Sequence, residues 1–424
     1  MDAKQIRRLK PKLSKFLARF DDCFARKDTR AHLPVYVQGQ LSELPDKSVE
    51  PIAVKAGVAP RTLQEFLSQL KWDQERMRNR LQEIVRSEHA GSRSIGIIDE
   101  TSFAKQGDKT PGVQRQWCGS EGKKENCIVT VHLGYAQDDF HCLLDSDLFL
   151  PESWSADRER CREAGIPETM TYRSKWVIAL ELYDHAVGQG LTFAWLTFDE
   201  WYGGKPDFLR GLSARKQKFV GEVPRSFTGW LKAARVTARP FQRHGRGRGR
   251  HVPRLVAGSR PAQSVAKMLK QRVFRKQPWQ RWRVKDGEKG PMVWEVKHAL
   301  FHPKDENGLP GQPMHLIVAR NVLNPDEIKF FVSNAPPETS IQTMLLVAFS
   351  RWRVERCFED HKGEVGLDHY EGRRYLGLKR HLIISAVSYL FLARTRQELV
   401  GEKTRADRMP DPHGDRRLDP LLVA

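Results

Sequence analysis

The chain is 424 residues long and carries 72 Lys and Arg against 52 Asp and Glu, a formal charge of +20 with a pI of about 9.8. That length allows two or three domains with ample core, and that charge calls for a polyanionic partner, nucleic acid above all, with an acidic membrane surface the weaker candidate. No apolar run approaches the roughly 18 residues that span a bilayer, the opening MDAKQIRRLKPKLSKFL lacks an apolar signal core, and Cys23, Cys118, Cys127, Cys142, Cys161 and Cys357 form no CxxC pair. Neither a disulfide framework nor a zinc knuckle is indicated, and the composition suits buried thiols in a reducing cytoplasm.

Residues 1–90 read as all helix. IRRLKPKLSKFLARF has helical apolar spacing, and a second amphipathic stretch runs from Thr62 to about Ser87. Between them, EPIAVKAGVAPRTLQEFLSQL has the outline of a helix-turn-helix. Ala53, Gly57 and Val58 suit a first helix and its tight turn, and Pro60 suits the start of a second. Arg61, Gln64 and Gln69 would then be available to a DNA groove, although any helical hairpin needs a Gly turn and a Pro start.

From Ser94 the pattern changes to short apolar runs. SIGIIDETSF, CIVTVHLGYA and FHCLLDSDLFL read as three strands, followed by a helix near Lys175–Val187. TFAWLTFDEWYGG contains a fourth strand and KQKFVGEV a fifth, an α/β order. Residues 224–339 break that rhythm. They hold a Gly/Arg segment, RPFQRHGRGRGRHVPR, most simply a flexible phosphate clamp through Arg246, Arg248 and Arg250. Four strand-like runs follow, WQRWRVKD, MVWEVKHALFH, MHLIVARNV and IKFFVSN, so this span reads as a β-rich insertion. Helix returns at Ile341 and again at about Arg374–Arg396, and the tail from Gly401 has the composition of a disordered segment.

Asp99 and Asp199 sit at the carboxyl ends of predicted strands, where α/β sheets collect functional groups. The alternative for each is a turn or helix-cap residue, and Glu100, Asp145, Asp147 and Glu200 are neighbouring competitors. In RWRVERCFEDHKGEVGL, Arg351, Glu355 and Lys362 fall on one helix face, which is either a solvated salt-bridge stripe or a site. Three converging carboxylates are stable only when cations neutralise them, and hard oxygen ligands suit Mg²⁺, with Mn²⁺ able to substitute. Two such ions activate a water or 3′-OH and stabilise the leaving oxygen in phosphodiester cleavage.

An Asp after the first strand, an Asp after the fourth and a Glu on a late helix is the layout of an RNase H-like nucleotidyl-transfer core. The chain resembles the DDE transposases of bacterial insertion sequences, in the cut-and-paste branch with a β-insertion before the glutamate helix. That family's signature is Tyr, two residues, Arg, three residues, Glu, six residues, Lys. Arg351, Glu355 and Lys362 keep the register, and Ala348 stands where the family has Tyr. IIDETSFAKQGDKTPGVQRQWCGSEGKKENCIVTVHLGYA and LPESWSADRERCREAGIP are similar to the endonuclease domain of one subgroup.

The resemblance implies a fold with an all-helical DNA-binding domain (1–90), an RNase H-like core in two parts (91–223 and 340–400) and the β-rich insertion (224–339). Residues 401–424 would be a disordered tail. It implies catalytic and metal-binding roles for Asp99, Asp199 and Glu355 with two Mg²⁺. Arg351 and Lys362 would lie along DNA phosphates, with Arg353 and Lys105 as further contacts. Trp279, Trp282 or Trp294 could stack on a flipped base, core packing being the alternative. The implied partners are double-stranded DNA, both inverted repeats and target, and a second copy of the chain in a homodimer on DNA. The implied location is cytoplasmic. Two other readings stand beside it. One is a structure-selective nuclease on the same core without strand transfer, and the other is a domesticated, non-catalytic DNA-binding protein.

Overall fold

Alternation of apolar and polar residues at helical spacing folds the first ninety residues into helices. In the computed structural model, which describes residues 3–239, 251–287 and 290–406, these are α1 (Ala3–Leu17), a 3-10 turn (Ala18–Cys23), α2 (Lys27–Gln40), α3 (Val49–Lys55), α4 (Pro60–Ser68) and α5 (Gln74–His89). Pro60 opens α4 where its missing N–H costs nothing, and Asp73 caps α5 by accepting from the Arg76 N–H at 2.8 Å. Gly57, at φ +68°, makes the left-handed turn between α3 and α4 that a side chain would strain. The helix-turn-helix outline is therefore present as two short helices at a tight turn.

The sheet follows. Strands β1 (Ile95–Ala104), β2 (Gln114–Cys118), β3 (Lys123–Gln137) and β4 (Phe140–Leu148) are antiparallel. Three helices, α6 (Glu152–Ala156), α7 (Arg158–Ala164) and α8 (Lys175–Gly188), then carry the chain across to β5 (Trp195–Phe198), which pairs parallel to β1. A further crossover through α9 (Glu200–Gly203) and α10 (Pro206–Ala214) leads to β6 (Phe219–Val223), parallel to β5. The resulting order, β4-β3-β1-β5-β6, mixes an antiparallel half with a parallel half and is consistent with the RNase H-like expectation. The hairpin strand β2 was not foreseen. Its sequence, QRQWC, has no apolar run to signal a strand.

The span after β6 contains β7 (Thr228–Trp230), β8 (Val236–Thr237), β9 (Arg254–Leu255), β10 (Gln263–Ser264), α11 (Val265–Met268) and α12 (Arg272–Arg275). It continues with β11 (Gln280–Gly287), β12 (Gly290–Pro303), β13 (Met314–Asn321) and β14 (Ile328–Ser333). These last strands continue the core sheet, because β14 pairs antiparallel with β6 and β13 and β12 follow outward. One twelve-stranded sheet results. Arg246, Arg248 and Arg250 lie outside the described residues.

Three helices close the chain: α13 (Ile341–Phe349), α14 (Trp352–Val365) and α15 (Tyr375–Ala406). Residues 401–406, expected as part of a disordered tail, continue α15, while 407–424 lie outside the described residues. By length and composition Tyr375–Leu399 could cross a bilayer, contrary to the sequence reading, but 78% of its most apolar window is buried here. Its apolar surface is used by the core. The N-terminal helices, the sheet and α15 share one hydrophobic cluster running from Leu13 to Phe391, while a second cluster joins β11–β14 to α13. All six cysteines are buried and unpaired.

Helix α15 is fastened to the N-terminal layer by Arg380. Its guanidinium donates to the carbonyls of Phe66, Leu67, Leu70 and Trp72 at 2.8–3.2 Å and lies 4.4 Å over the Trp72 ring. Carbonyls left without an intrahelical partner at the end of α4 are thus satisfied by a cation, which also suits the helix dipole. Burial pushes the Arg380 pKa down to about 10, so the carbonyls stabilise a charge the core would otherwise reject. Arg380→Ala should lower the urea-unfolding free energy by about 3 kcal/mol, because buried acceptors lose a charged donor. A loss under about 1 kcal/mol would mean that the helical layer is held chiefly by its apolar contacts.

Candidate active site

Strand alternation sends neighbouring acids of β1 to opposite faces. Asp99 turns toward α14 and Glu100 toward α8, where Lys175 pairs with it at 2.6 Å and the Tyr202 hydroxyl donates to it at 3.5 Å. Parallel pairing aligns Ile98 with Phe198, so Asp199, just past the end of β5, stands level with Asp99. Asp99 lies in the middle of β1 and not at its carboxyl end as the sequence suggested, because β3 pairs with β1 as far as Ala104. Asp199 is the N-cap of α9. Its Oδ1 accepts from the Trp201 and Tyr202 N–H groups at 3.0 and 3.2 Å, and both bonds fall on that one oxygen. Gly203 keeps this turn on the sheet, since a Cβ there would sit 1.8 Å from the Glu222 carbonyl oxygen.

The third acid arrives on α14. Arg351, at the N-cap of that helix, donates to Asp99 Oδ2 at 3.0 Å and reaches Glu355 Oε1 at 2.6 Å. Burial opposes its charge, but Asp99, Glu355, Asp199 and Glu222 together raise its pKa. Asp99 shows the converse. Burial pushes its carboxyl up to about 7, with Arg351 pulling it down and Asp199 adding to the rise. One guanidinium therefore stands among three carboxylates from three separate stretches of chain.

Like Glu100, two other competing acids are committed elsewhere. Asp145 takes Arg78 in a two-pronged pair, with both oxygens 2.8 Å from Nε, and Asp147 takes Arg173 at 2.7 Å. Among the described residues no three His, Cys, Asp or Glu side chains stand together at metal-ligand distance. The donor set is nevertheless hard and anionic, with Asp99 held within a paired strand and Asp199 by its cap, which fits a divalent cation in kind. Arg351 supplies the positive charge that such an ion would bring.

The expected phosphate contacts divide. Lys362 lies with its ammonium 3.4 Å from the Ser102 carbonyl and 5.7 Å from the Phe103 ring centre, and Lys105 donates to the Asp368 carbonyl at 2.7 Å. Burial lowers the pKa of both, and also that of Arg353, which is half-buried. Lys105 and Arg353 are thus not the plain surface charges that the sequence allowed. Arg61 and Gln64 are exposed on α4, with Arg61 paired to Glu65 at 2.7 Å. Ala348, in the Tyr position of the signature, is buried.

The three tryptophans separate by burial. Trp294 is only 4% exposed and packs on Phe349 with ring centres 4.9 Å apart, so its ring is a core element and not a stacking surface in this conformation. Trp282 pairs with it across β11–β12 and joins the same cluster, while Trp279 lies under Arg320 and Lys297 at 4.2 and 4.7 Å. Beside the acids stands a different ring. Trp201, two residues after Asp199, lies between the ammonium groups of Lys175 and Lys205 at 4.3 and 4.7 Å. Sequence reading missed Lys175, because nothing in a helical run far from β1 signals a partner for Glu100.

Comparison with known proteins gives the chain a family. The profile of the DDE superfamily endonuclease family matches residues 19–291, a span that contains Asp99 and Asp199 and stops before α14. The chain belongs to that family. It is also 31% identical over 208 residues to a probable transposase for insertion sequence element IS701 from Microchaete diplosiphon, covering 46% of this chain and 51% of that one. The chain thus spans about half the length of that curated relative. A likeness to the NurA nuclease from Sulfolobus solfataricus, at 12% identity and a TM-score of 0.26, covers 80% of this chain and 95% of that one. It is too weak to define a shared fold.

Because Arg351 offsets a buried carboxylate, Arg351→Ala should lower stability in chelator-treated protein at pH 8 by about 2–3 kcal/mol, less than the roughly 3–5 kcal/mol for breaking a fully buried pair. Proton uptake by Asp99 keeps the loss from being larger. Unfolding free energies within about 0.5 kcal/mol of wild type would show that the acids need no counter-charge.

Proposed function

We propose that the protein is an insertion-sequence transposase that binds the terminal inverted repeats of its element, cuts the DNA strands and joins the 3′ ends to target DNA. The observation that supports this reading is that Arg351 pairs with both Asp99 and Glu355 and also feels the charge of Asp199. A protein that only bound DNA would gain nothing from acids gathered at a site meant for phosphates. Family membership and the similarity to a probable transposase support the same reading.

In this reading Asp99, Asp199 and Glu355 would hold two divalent cations, Mg²⁺ or Mn²⁺. These would supply Lewis-acid stabilisation of the leaving oxygen and a more acidic attacking water or 3′-OH. The protein's own part is positional. Asp99 is fixed by the strand and by the Glu100 N–H at 2.8 Å, and Asp199 is fixed by its cap. Arg351 neutralises the acids in the resting protein and, freed from them, would meet the phosphate they serve. Lys362 and Lys105 line the same edge of β1 and would hold the strand on either side of the cut, with Arg353 further along α14. Helices α3 and α4 would read the repeat through Arg61 and Gln64, and a homodimer would hold two ends together.

Asp99→Asn, Asp199→Asn and Glu355→Gln should each abolish nicking of a labelled element end in Mg²⁺ or Mn²⁺. Affinity for that end should stay within about threefold, because it comes mainly from phosphate contacts elsewhere. Wild-type cutting by any of the three would remove that residue from the mechanism. For recognition, Arg61→Ala or Gln64→Ala should reduce the preference for repeat over random duplex by about 1–3 kcal/mol in competition binding. An unchanged ratio in both variants would move readout away from α4.

A further inference from the structure

The hairpin of β2 and β3 is not used by the site described above, and its two faces differ. Cys118 and Cys127 turn inward and form a small apolar cluster with Val129 and Phe149. Its tip is tied to β1, since the Ser120 N–H donates to Ser102 Oγ and the Ser120 hydroxyl to the Ser102 carbonyl, each at 3.4 Å. Ser102 is three residues beyond Asp99, about 10 Å along the strand. The hairpin is therefore held against the sheet beside the acids.

The other face carries Arg115, Trp117 and Lys124. Arg115 and Trp117 are two residues apart on β2 and so share a face, and Lys124 stands directly opposite Trp117 in the ladder. Trp117 is 62% exposed, whereas Trp294 and Trp154 are buried. Arg115 and Lys124 are exposed as well, and among the described residues neither forms a salt bridge, unlike Lys123, which pairs with Glu125. An uncovered indole between two cations, on a chain of charge +20, is suited to a polyanion that presents flat apolar rings. A duplex covers the faces of its bases, but an unpaired strand exposes them.

The geometry points to the β2–β3 hairpin as a docking finger for an unpaired stretch of DNA strand leaving the acid site. Trp117 stacks on a base, and Arg115 and Lys124 take the flanking phosphates. This inference rests on the reading of that site as one that cuts DNA. Sequence tolerance follows, because every base has a π-face and the two cations contact only backbone. The finger would hold a frayed or cut end near the acids whatever its sequence.

The test uses the full chain, with labelled oligothymidylate and a blunt duplex of equal length as probes and anisotropy read against salt concentration. Trp117→Ala should weaken oligothymidylate binding about tenfold, while Trp117→Phe stays within about threefold. The double variant Arg115→Gln/Lys124→Gln should make the salt slope shallower by about 1.4, two phosphates at about 0.7 each on a single strand. Blunt-duplex binding should change little in all three, and their melting temperatures should match wild type because these side chains are exposed. Wild-type oligothymidylate affinity in Trp117→Ala, or an equal loss on blunt duplex, overturns the inference. If wild type cuts an element end while the hairpin variants bind oligothymidylate normally, the finger alone is wrong. If wild type does not cut but the variants lose oligothymidylate as described, the strand-docking face stands and the cutting reading falls.

Discussion

A buried carboxylate can stand beside two further acids only if positive charge stands with them. In this protein Arg351 meets that constraint, with Asp99 on one side, 252 positions earlier in the chain, and Glu355 on the other. The geometry around the acids follows from that meeting. The parallel pairing of β1 with β5 sets Asp99 beside Asp199, the cap of α9 aims Asp199, and the course of α14 across the sheet brings Arg351 and Glu355 over them. A neutral residue at 351 would leave Asp99 with burial and a like charge as its main influences, and the carboxyl would keep its proton.

The arrangement also explains how acids and bases are sorted at one strand. Side-chain alternation along β1 separates Asp99 from Glu100, and each face has its own cation, Arg351 for one and Lys175 for the other. The Glu100 face is aromatic as well as charged, with Trp201 between two lysines and the Tyr202 hydroxyl on the carboxylate. The face is thus a neutralised support for the turn that carries Asp199. The opposite face keeps its acids around a cation near solvent, where Glu355 is half exposed.

Beyond the site, the layers depend on one another more than a list of domains suggests. The N-terminal helices are not set apart by a gap in the core. Tyr36 reaches the buried His381 at 2.9 Å, Gln40 reaches Ser385 and Ser388 at 2.8 Å, and Arg380 caps the end of α4. Through α15 the helical layer packs against β4 and α14, the helix that carries Glu355. The strands of the expected insertion likewise extend the core sheet, because the edge of β6 offered unpaired backbone groups that β14 satisfies.

Much of this was legible in the sequence for a local reason. Asp99 and Asp199 follow short apolar runs bounded by polar turns, and the register of Arg351, Glu355 and Lys362 is a property of helix geometry alone. The Gly57 turn, the Pro60 start and the four late strands are local in the same way. What only the tertiary structure decided is which charges meet. The pairing of Arg351 with Asp99, of Lys175 with Glu100 and of Lys105 with the Asp368 carbonyl depends on strand order and helix crossing, which no short window encodes. The exposure of Trp117 and the burial of Trp294 were undecidable for the same reason, since both sit in alternating polar strands. Periodicity tells which residues share a face, but burial is set by whatever element packs against that face.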